Sequence, residues 1–406
     1  MTTVRCETSR PARTSETTPM QLPIYLDNHS TTAVDPRVLQ AMLPYFTEKY
    51  GNAASINHSF GWEAAEAVET AREQIARLVR TSPKSIVFTS GATESNNLAL
   101  KGVMRAAGPD AHLITNAAEH RAVLDPTKKL SRSDFAVTIL PVDQYGLVDP
   151  GQIADAIASK TVVVSVMMAN NEVGTINAIA EIGRICRERD VLLHCDAAQV
   201  VGKLPVDLSD LPVDFMSFTA HKLYGPKGVG ALAIRRGGRR IQLEPLFDGG
   251  GHERRLRSGT LPVPLIVGFG KACKLAVETM QKEEAGIRQL RDRLQSGLLA
   301  ELDGVVLNGH PNQRLSGNLN VSFEAVDGEA LMMSLKDIAV SSGSACTSAD
   351  PEPSHVLRAM GRSDALTRAS LRFGVGRFNT AEEIDFAVST VVETVKRLRN
   401  LSASGP

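Results

Sequence analysis

Short apolar runs with the length of β-strands alternate with amphipathic helical patterns from about Leu22 to Ile234. Each run ends in a polar or glycine-containing segment, and most of these segments lead into a helical pattern. Alternating strands and helices predict an α/β fold whose large domain is built on a mostly parallel sheet. Beyond Gly230 the alternation fades. A long helical pattern, from about Leu265 to Leu302, leads into a smaller α+β region.

The most notable polar side chains of this region share one placement, because each follows an apolar strand run. In parallel sheets, ligands bind at the carboxyl ends of the strands. We therefore expect these side chains to meet in one site. They are Thr93, His120, Asn171, Asp196, Gln199 and Lys222.

Lys222 lies in the segment SFTAHKLYGPKGVG, between the apolar runs Val213–Met216 and Val229–Ile234. This pattern predicts two strands joined by a tight loop that holds the lysine. Burial disfavours the charged form of an amine, and a neutral amine can form a Schiff base with a carbonyl compound. The alternative is a surface lysine in a hairpin.

Asp196 ends an apolar run, in LLHCDAAQ. A buried carboxylate requires a cationic or strongly donating partner, such as the protonated ring nitrogen of pyridoxal phosphate. Gln199 faces the same ligand if a helix begins there. The alternative for Asp196 is a helix N-cap.

The turn Ser90-Gly91-Ala92-Thr93 joins a strand to a helix N-terminus, which is a common anion site. The alternative is a turn that serves packing alone.

His120 could stack on a flat cofactor or be a structural histidine. Arg372, inside a strand, could bind a carboxylate or form a structural ion pair.

Cys346 lies in SSGSACTS, a loop of small residues that should leave the thiol accessible, as a reactive cysteine requires. The alternative is an inert loop cysteine. The chain contains five cysteines, an odd number without a CxxC pair. This pattern argues against a disulfide framework and favours a reducing compartment.

Composition excludes some partners. Lys plus Arg and Asp plus Glu each number 45, so the net charge is zero and offers no electrostatic argument for nucleic acid or membrane binding. No apolar run is long enough to span a bilayer.

Residues 1–21 are expected to form a disordered extension, with an organelle transit peptide as the alternative. Residues 22–275 are assigned to the large domain, whose first residues pack with the small one, and residues 276–406 to the small domain that carries the Cys346 loop.

Nine motifs, in order along the chain, resemble those of cysteine desulfurases, and in particular the group that serves iron–sulfur cluster assembly. The resemblance covers about Leu22 to Leu401. The motifs are YLDNHSTTAVDP, FTSGATESNNLA, EHRAVL, ANNEVGTI, HCDAAQVVGKLPVDL, SFTAHKLYGPKGVGAL, GGGHERRLRSGT, SSGSACTSADPEPSHVLRAMG and LRFGVGRF.

The resemblance implies a homodimeric class V aminotransferase of fold type I that uses pyridoxal phosphate. It makes Lys222 the lysine that binds the cofactor covalently, Asp196 the partner of the ring nitrogen and Gln199 the donor to the ring hydroxyl. It makes His120 the ring-stacking residue, with a role in moving protons. A further set would bind the phosphate, the last of them from the partner subunit: Ala92, Thr93, Thr219, His221 and Thr260.

For the substrate, the resemblance makes Asn171 and Arg372 positioning groups, with Arg372 on the carboxylate of L-cysteine. Cys346 would take the sulfur as a persulfide and pass it to a scaffold protein or another acceptor. Cys346 could also be a transient iron–sulfur ligand. A bacterial cytoplasm is the expected location, with the mitochondrial matrix as the alternative.

The sequence departs from the family pattern at several points. Threonine replaces the usual serine at Thr219, Asp350 replaces a small or apolar residue, and TRASLRF replaces a histidine-containing run. Members of the cluster-assembly group carry a longer C-terminal tail that helps to dock the scaffold protein, whereas this sequence ends at RLRNLSASGP. The identity of the sulfur acceptor therefore stays open. Competing functions are a selenocysteine lyase, another class V enzyme, or a non-catalytic sulfur carrier or metal-binding protein. The metal-binding alternative would use His194, Cys195 and His221.

Overall fold

The computed structural model of the protein describes residues 20–237, 241–342 and 353–403. Its strands are β1 (Ile24–Tyr25), β2 (Ile86–Thr89), β3 (His112–Asn116), β4 (Ala136–Leu140), β5 (Thr161–Ser165), β6 (Leu192–Asp196), β7 (Phe215–Thr219), β8 (Gly230–Ile234), β9 (Val305–Asn308), β10 (Asn318–Phe323), β11 (Ile338–Ala339), β12 (Ser341–Ser342) and β13 (Ser370–Gly374). Its α-helices are α1 (Pro36–Met42), α2 (Pro44–Thr47), α3 (Ser59–Leu78), α4 (Ala92–Ala107), α5 (Arg121–Ser131), α6 (Pro150–Ala156), α7 (Ile179–Glu188), α8 (Val263–Glu301), α9 (Gly328–Ser334), α10 (His355–Ala359), α11 (Asp364–Arg368) and α12 (Ala381–Ala403).

The central sheet has seven strands in the order β2-β8-β7-β6-β5-β3-β4. Strand β8 is antiparallel to both neighbours, and the pairs from β7 to β4 are parallel. Strand β2 therefore runs in the same direction as β7. The predicted α/β fold with a mostly parallel sheet is confirmed, and the carboxyl ends of β2, β3, β5, β6 and β7 lie at one edge.

The strand before Lys222 lies later in the chain than the apolar run Val213–Met216 suggested. It spans Phe215–Thr219, because Ser217 and Thr219 continue the pairing with β8, opposite Leu232 and Gly230. Lys222 then ends a 3-10 turn, Ala220–Lys222. The predicted arrangement of strand, lysine-bearing loop and strand is otherwise as expected.

A second region is built on the antiparallel sheet β12-β13-β10-β9. Its hydrophobic core includes Ile24 and Leu26, since β1 pairs with β11. Helix α8 links the two regions. Its first half contributes Phe269 to the core of the large sheet, and its second half contributes Leu298 to the second core. The domain boundary at residue 275 stays a prediction.

Helix α8 spans 39 residues, but many of them are charged. None of the helices in the described part of the chain combines the length and apolar character needed to cross a membrane.

Candidate active site

A cleft of about 440 Å³, open to solvent, lies at the carboxyl edge of the seven-stranded sheet. It is lined by residues that follow β2, β3, β5, β6 and β7. The placement expected for parallel strands thus brings together residues far apart in the chain. The predicted site residues that line this cleft are Ala92, Thr93, His120, Asn171, Asp196, Gln199, Thr219, His221 and Lys222.

Lys222 lies in this cleft with an altered affinity for protons. Burial, together with the nearby Arg372 charge, lowers the pKa of the Lys222 amine to about 8, although the Asp196 carboxylate opposes this shift. A substantial fraction of the amine is therefore neutral near pH 8, whereas an exposed lysine is almost wholly charged. This is the state that a nucleophilic or proton-accepting lysine needs.

Asp196 is the last residue of β6 and is only 6% exposed. Its Oδ2 accepts a hydrogen bond from Asn96 Nδ2 at 2.7 Å, and its Oδ1 accepts from the backbone N–H of Ala198 at 2.9 Å. A turn, and no helix, follows Asp196, yet Gln199 still lines the cleft. Sequence reasoning missed Asn96. The available signal was a polar residue one turn into α4, on the face that packs against the sheet.

His120 caps the N-terminus of α5. Its Nδ1 accepts a hydrogen bond from the backbone N–H of Ala122 at 3.0 Å. In the neutral ring the proton therefore lies on Nε2. Burial and the adjacent Lys222 charge lower the pKa of His120, so the ring is neutral at physiological pH.

The turn before α4 places free backbone N–H groups in the cleft, because the N-cap Gly91 supplies no side-chain hydrogen bond. The turn packs directly on β8. A Cβ at Gly230 would lie 2.6 Å from the Gly91 Cα, so position 230 requires glycine. Glu94 also lines the cleft, and its charge is paired with Arg257 at 2.8 Å. Anion binding at this helix N-terminus is therefore not opposed by a free carboxylate.

The phosphate-side residues Thr219 and His221 are also fixed by contacts within the chain. Thr219 Oγ1 donates to the carbonyl of Val229 at 3.2 Å, and His221 Nδ1 lies 3.1 Å from Thr31 Oγ1. Burial, together with the Lys222 charge, lowers the pKa of His221 to about 4. His221 is therefore a neutral ring in this cleft.

Arg372 lies in β13, next to the cleft wall rather than among the lining residues. Its Nη1 donates to the carbonyl of Asn171 at 3.0 Å, and its Nη2 pairs with Asp27 at 2.8 Å. Its buried Nε has no partner among the described residues, and the same is true of Asn171 Oδ1 inside the cleft. Because Asn171 lines the cleft, its unpaired Oδ1 can serve a ligand there, whereas Arg372 lies behind the lining residues.

Two further predicted residues remain, and of these Thr260 alone is among the described residues. Thr260 is exposed and is not among the lining residues. Cys346 lies outside the described residues, so its predicted roles as sulfur acceptor and iron–sulfur ligand stay predictions.

Two buried carboxyl groups beside the cleft were missed by sequence reasoning. Burial raises the pKa of Glu119 to about 8 and that of Glu172 to about 7. Glu119 Oε1 accepts hydrogen bonds from Asn116 Nδ2 and from the backbone N–H of Met167, and the Ser354 hydroxyl donates to Glu172. The available signal was their position, since each directly adjoins a strand-end residue already selected.

The alternative set of metal ligands is poorly arranged for that purpose. His194 has both ring nitrogens within 3.0 Å of a serine hydroxyl, from Ser165 and Ser217. Burial raises the pKa of Cys195 well above its ordinary value, which opposes the thiolate that binds metals. Within the described ranges, no group of three or more His, Cys, Asp or Glu side chains could hold a metal ion.

The fold agrees with comparisons to known proteins. The family described as aminotransferase class-V matches residues 24–386. The chain belongs to this family.

Its relatives narrow the resemblance to cysteine desulfurases, as predicted from the nine motifs. The chain is 56% identical over 386 residues to a protein named cysteine desulfurase IscS from Anaeromyxobacter dehalogenans, covering 94% of this chain and 95% of that protein. It is 50% identical over 392 residues to a cysteine desulfurase from Pongo abelii, covering 96% and 86%. A solved NifS-like protein matches with a TM-score of 0.86 and 39% identity over 93% of this chain and all of that one.

Another solved structure, described as SspA in complex with cysteine, matches with a TM-score of 0.78 and 36% identity. That match covers 88% of this chain and 100% of the other. The predicted family and fold type are confirmed by these matches.

Proposed function

We propose that this protein is an L-cysteine desulfurase that depends on pyridoxal phosphate, releases L-alanine and keeps the sulfur as a persulfide on Cys346. The observation that carries the proposal is the cleft, where a lysine with a pKa of about 8 faces the buried carboxylate Asp196. The names of its relatives supply the substrate.

The chemistry of the cleft fits the cofactor. Asp196 is a buried carboxylate whose visible donors are neutral amides, so a protonated ring nitrogen would give it a cationic partner. The free N–H groups before α4 suit a phosphate, with Thr93 and His221 beside them. Gln199 would donate to the ring hydroxyl. When bound, pyridoxal phosphate supplies an electron sink for charge that develops on the substrate.

The residues of the chain would divide the remaining work. Lys222, neutral in part near pH 8, can bind the cofactor covalently and then accept or return a proton. His120 carries its ring proton on Nε2 and can exchange it in the cleft. Asn171, whose Oδ1 is unpaired, would orient the substrate, and the resemblance assigns Arg372 to its carboxylate.

The sulfur step would balance without an added oxidant. The Cys346 thiolate attacks the sulfur of L-cysteine, an S–S bond forms, the substrate C–S bond breaks and the carbon takes up a proton. The products are L-alanine and a persulfide. An iron–sulfur scaffold protein would be the acceptor, in a bacterial cytoplasm.

A homodimer is proposed from the surface as well as from the resemblance. Exposed apolar side chains extend from α1 and α2 to the start of α3. Among them, the ring centroids of Tyr50 and Phe60 lie 5.4 Å apart. A surface of this kind favours association. Thr260 is exposed and outside the cleft of its own chain, which suits a residue that serves the partner subunit. The exposed apolar residues are Leu39, Leu43, Phe46, Tyr50, Ile56, Phe60 and Trp62.

The proposal is tested with the purified protein incubated with L-cysteine. We expect a visible cofactor band, alanine formation, and loss of at least about a hundredfold of that rate in Cys346→Ala, since removing a catalytic nucleophile has effects of this order or larger. Cys6→Ala, in the N-terminal segment, is the matched control and should retain the wild-type rate.

Alanine formation at the full rate in Cys346→Ala would rule out the persulfide route and favour a lyase or an aminotransferase. Absence of a cofactor band would favour a non-catalytic sulfur carrier. Preferred turnover of selenocysteine over cysteine would identify a selenocysteine lyase.

A further inference from the structure

Gln199 is held in the wall of the cleft by two residues that lie behind it. Its Oε1 lies 3.1 Å from Lys203 Nζ and 3.0 Å from His29 Nδ1. Its Nε2 donates to the backbone carbonyl of His29 at 2.9 Å. Gln199 itself is 2% exposed and lines the cleft.

These contacts determine the orientation of the amide. A carbonyl oxygen has two acceptor sites, and here both face a donor. A flipped amide would turn its N–H groups toward the Lys203 ammonium and its oxygen toward the His29 carbonyl, so the flipped state has two unfavourable contacts. The one hydrogen-bonding position that remains unused is the second N–H on Nε2.

Lys203 and His29 lie on the side of Gln199 that faces away from the cleft. Both line a small second cavity of about 40 Å³ on the other side of Gln199, between the two regions of the molecule. His29 is 3% exposed, and its Nδ1 carries the proton because Gln199 Oε1 can only accept. Burial, together with the charges of Lys222 and Arg372, lowers the pKa of Lys203 to about 7.

We propose that Lys203 and His29 are positioning residues that lock the Gln199 amide, so that it presents an N–H group and never its oxygen to the cleft. This inference rests on the proposed function, because the group that receives this N–H would be the ring oxygen of the cofactor. A donor at that point favours the anionic form of the oxygen and excludes ligands that offer a donor there.

The Gln199 amide should keep this orientation in either protonation state of Lys203, because a neutral amine also donates an N–H. The charged groups that face Lys203 are Lys222 and Arg372 on the cleft side, and Glu283 and Glu284 of α8 line its cavity. Glu283 pairs with Arg377, and Glu284 with Arg288. A paired carboxylate is a weak competitor for the Lys203 amine.

The test is a double-mutant cycle on the holoenzyme with Lys203→Met, Gln199→Leu and the double variant. Two quantities are measured: the dissociation constant of pyridoxal phosphate and the pH midpoint of the visible cofactor band. We expect Lys203→Met to weaken cofactor binding about fivefold and to raise the midpoint by roughly half a unit, the effect of about one hydrogen bond. In the Gln199→Leu background the same substitution should change neither quantity.

Additive effects of the two substitutions on these quantities would overturn the inference, and so would a Lys203→Met protein with the same dissociation constant and midpoint as wild type. The proposed function would still stand in either case, provided that the wild type shows the cofactor band. A wild type without that band would instead remove the proposed function. Lys160→Met, on the surface, is the matched control and should match wild type. If Lys203→Met does not fold, His29→Leu tests the same cycle, because it removes the other donor to Gln199 Oε1.

Discussion

The interior of the seven-stranded sheet and its carboxyl edge both contain polar side chains, but the two regions treat them differently. In the interior, His194 has a hydrogen-bond partner at each ring nitrogen, Ser165 and Ser217. At the edge, Asn171 Oδ1 has no partner among the described residues. Asp196, two residues beyond His194 on the same strand, is held by neutral donors alone.

The difference shows how one sheet can be stable and reactive. Saturated polar groups in the interior cost little and hold the strands in place. Polar groups at the edge have unpaired hydrogen-bonding atoms and shifted pKa values. These features lower the stability of the fold, but they allow the groups to bind a ligand. We therefore expect substitutions at the edge to change cofactor binding and rate, and substitutions in the interior to change stability.

The largest effect is expected at Lys222. Lys222→Ala should lower alanine formation by at least about a thousandfold, within the range of roughly 10²–10⁴ for loss of an acid–base group and with the covalent role added. The visible band of the bound cofactor should also shift, because the amine that holds it is absent. Steady-state assays and absorbance spectra measure both effects.

Lys160→Ala is the control for this substitution, because Lys160 is 64% exposed and pairs with the surface Asp110. A Lys222→Ala protein that kept both its spectrum and its rate would show that the edge is no more reactive than the rest of the sheet.

A smaller effect is expected at Asp196. Asp196→Ala should weaken binding of pyridoxal phosphate by about ten- to hundredfold, the effect of losing a hydrogen bond to a charged group. Fluorescence titration of the apoprotein with the cofactor gives the constant. The affinity of Asn96→Leu for the cofactor should lie between those of wild type and Asp196→Ala, since this substitution removes one of the donors that orient the carboxylate.

Asp207→Ala provides the comparison for Asp196, because Asp207 is a surface carboxylate paired with Arg80. Equal affinities for Asp196→Ala and Asp207→Ala would mean that the buried carboxylate does not contact the cofactor.

Much of the edge could be predicted from the sequence, because strand ends are local features. Lys222, Asp196 and His120 each follow an apolar run, and the parallel order then places them together. The apolar spacing after Pro36 predicts one helix to about Tyr45, and this prediction is only partly right. A second helix begins at Pro44, whose missing N–H interrupts the hydrogen bonding of the first.

Contacts between distant parts of the chain could not be predicted in this way. His29 and Gln199 are 170 residues apart, and Arg372 and Asp27 are 345 apart. No periodicity in the sequence connects such pairs, so neither the lock on Gln199 nor the pairing of Arg372 was foreseen. Asn96 was missed for a related reason, because its role depends on the packing of α4 against β6.

The smallest effect on activity is expected in the interior, at His194. His194→Leu should leave the rate of alanine formation within about twofold of wild type, because His194 contacts no cleft group through its ring. It should lower the free energy of unfolding by about 1–3 kcal/mol at pH 7.5, since the hydroxyls of Ser165 and Ser217 lose their partner in a dry environment. Urea unfolding of the holoenzyme measures this loss.

The pH dependence of the same variant separates a neutral interior histidine from a charged one. Burial lowers the pKa of His194 to about 4, below the value near 6.5 in the unfolded chain. The unfolded state therefore binds more protons between these values, and the wild type loses up to about 3 kcal/mol of stability from this residue as the pH falls from 6.5 to 4. His194→Leu lacks this loss, so the stability gap between the two proteins should narrow on acidification. A constant gap from pH 7.5 to 4.5 would mean that His194 is not held neutral, and a tenfold loss of rate would place it with the edge residues.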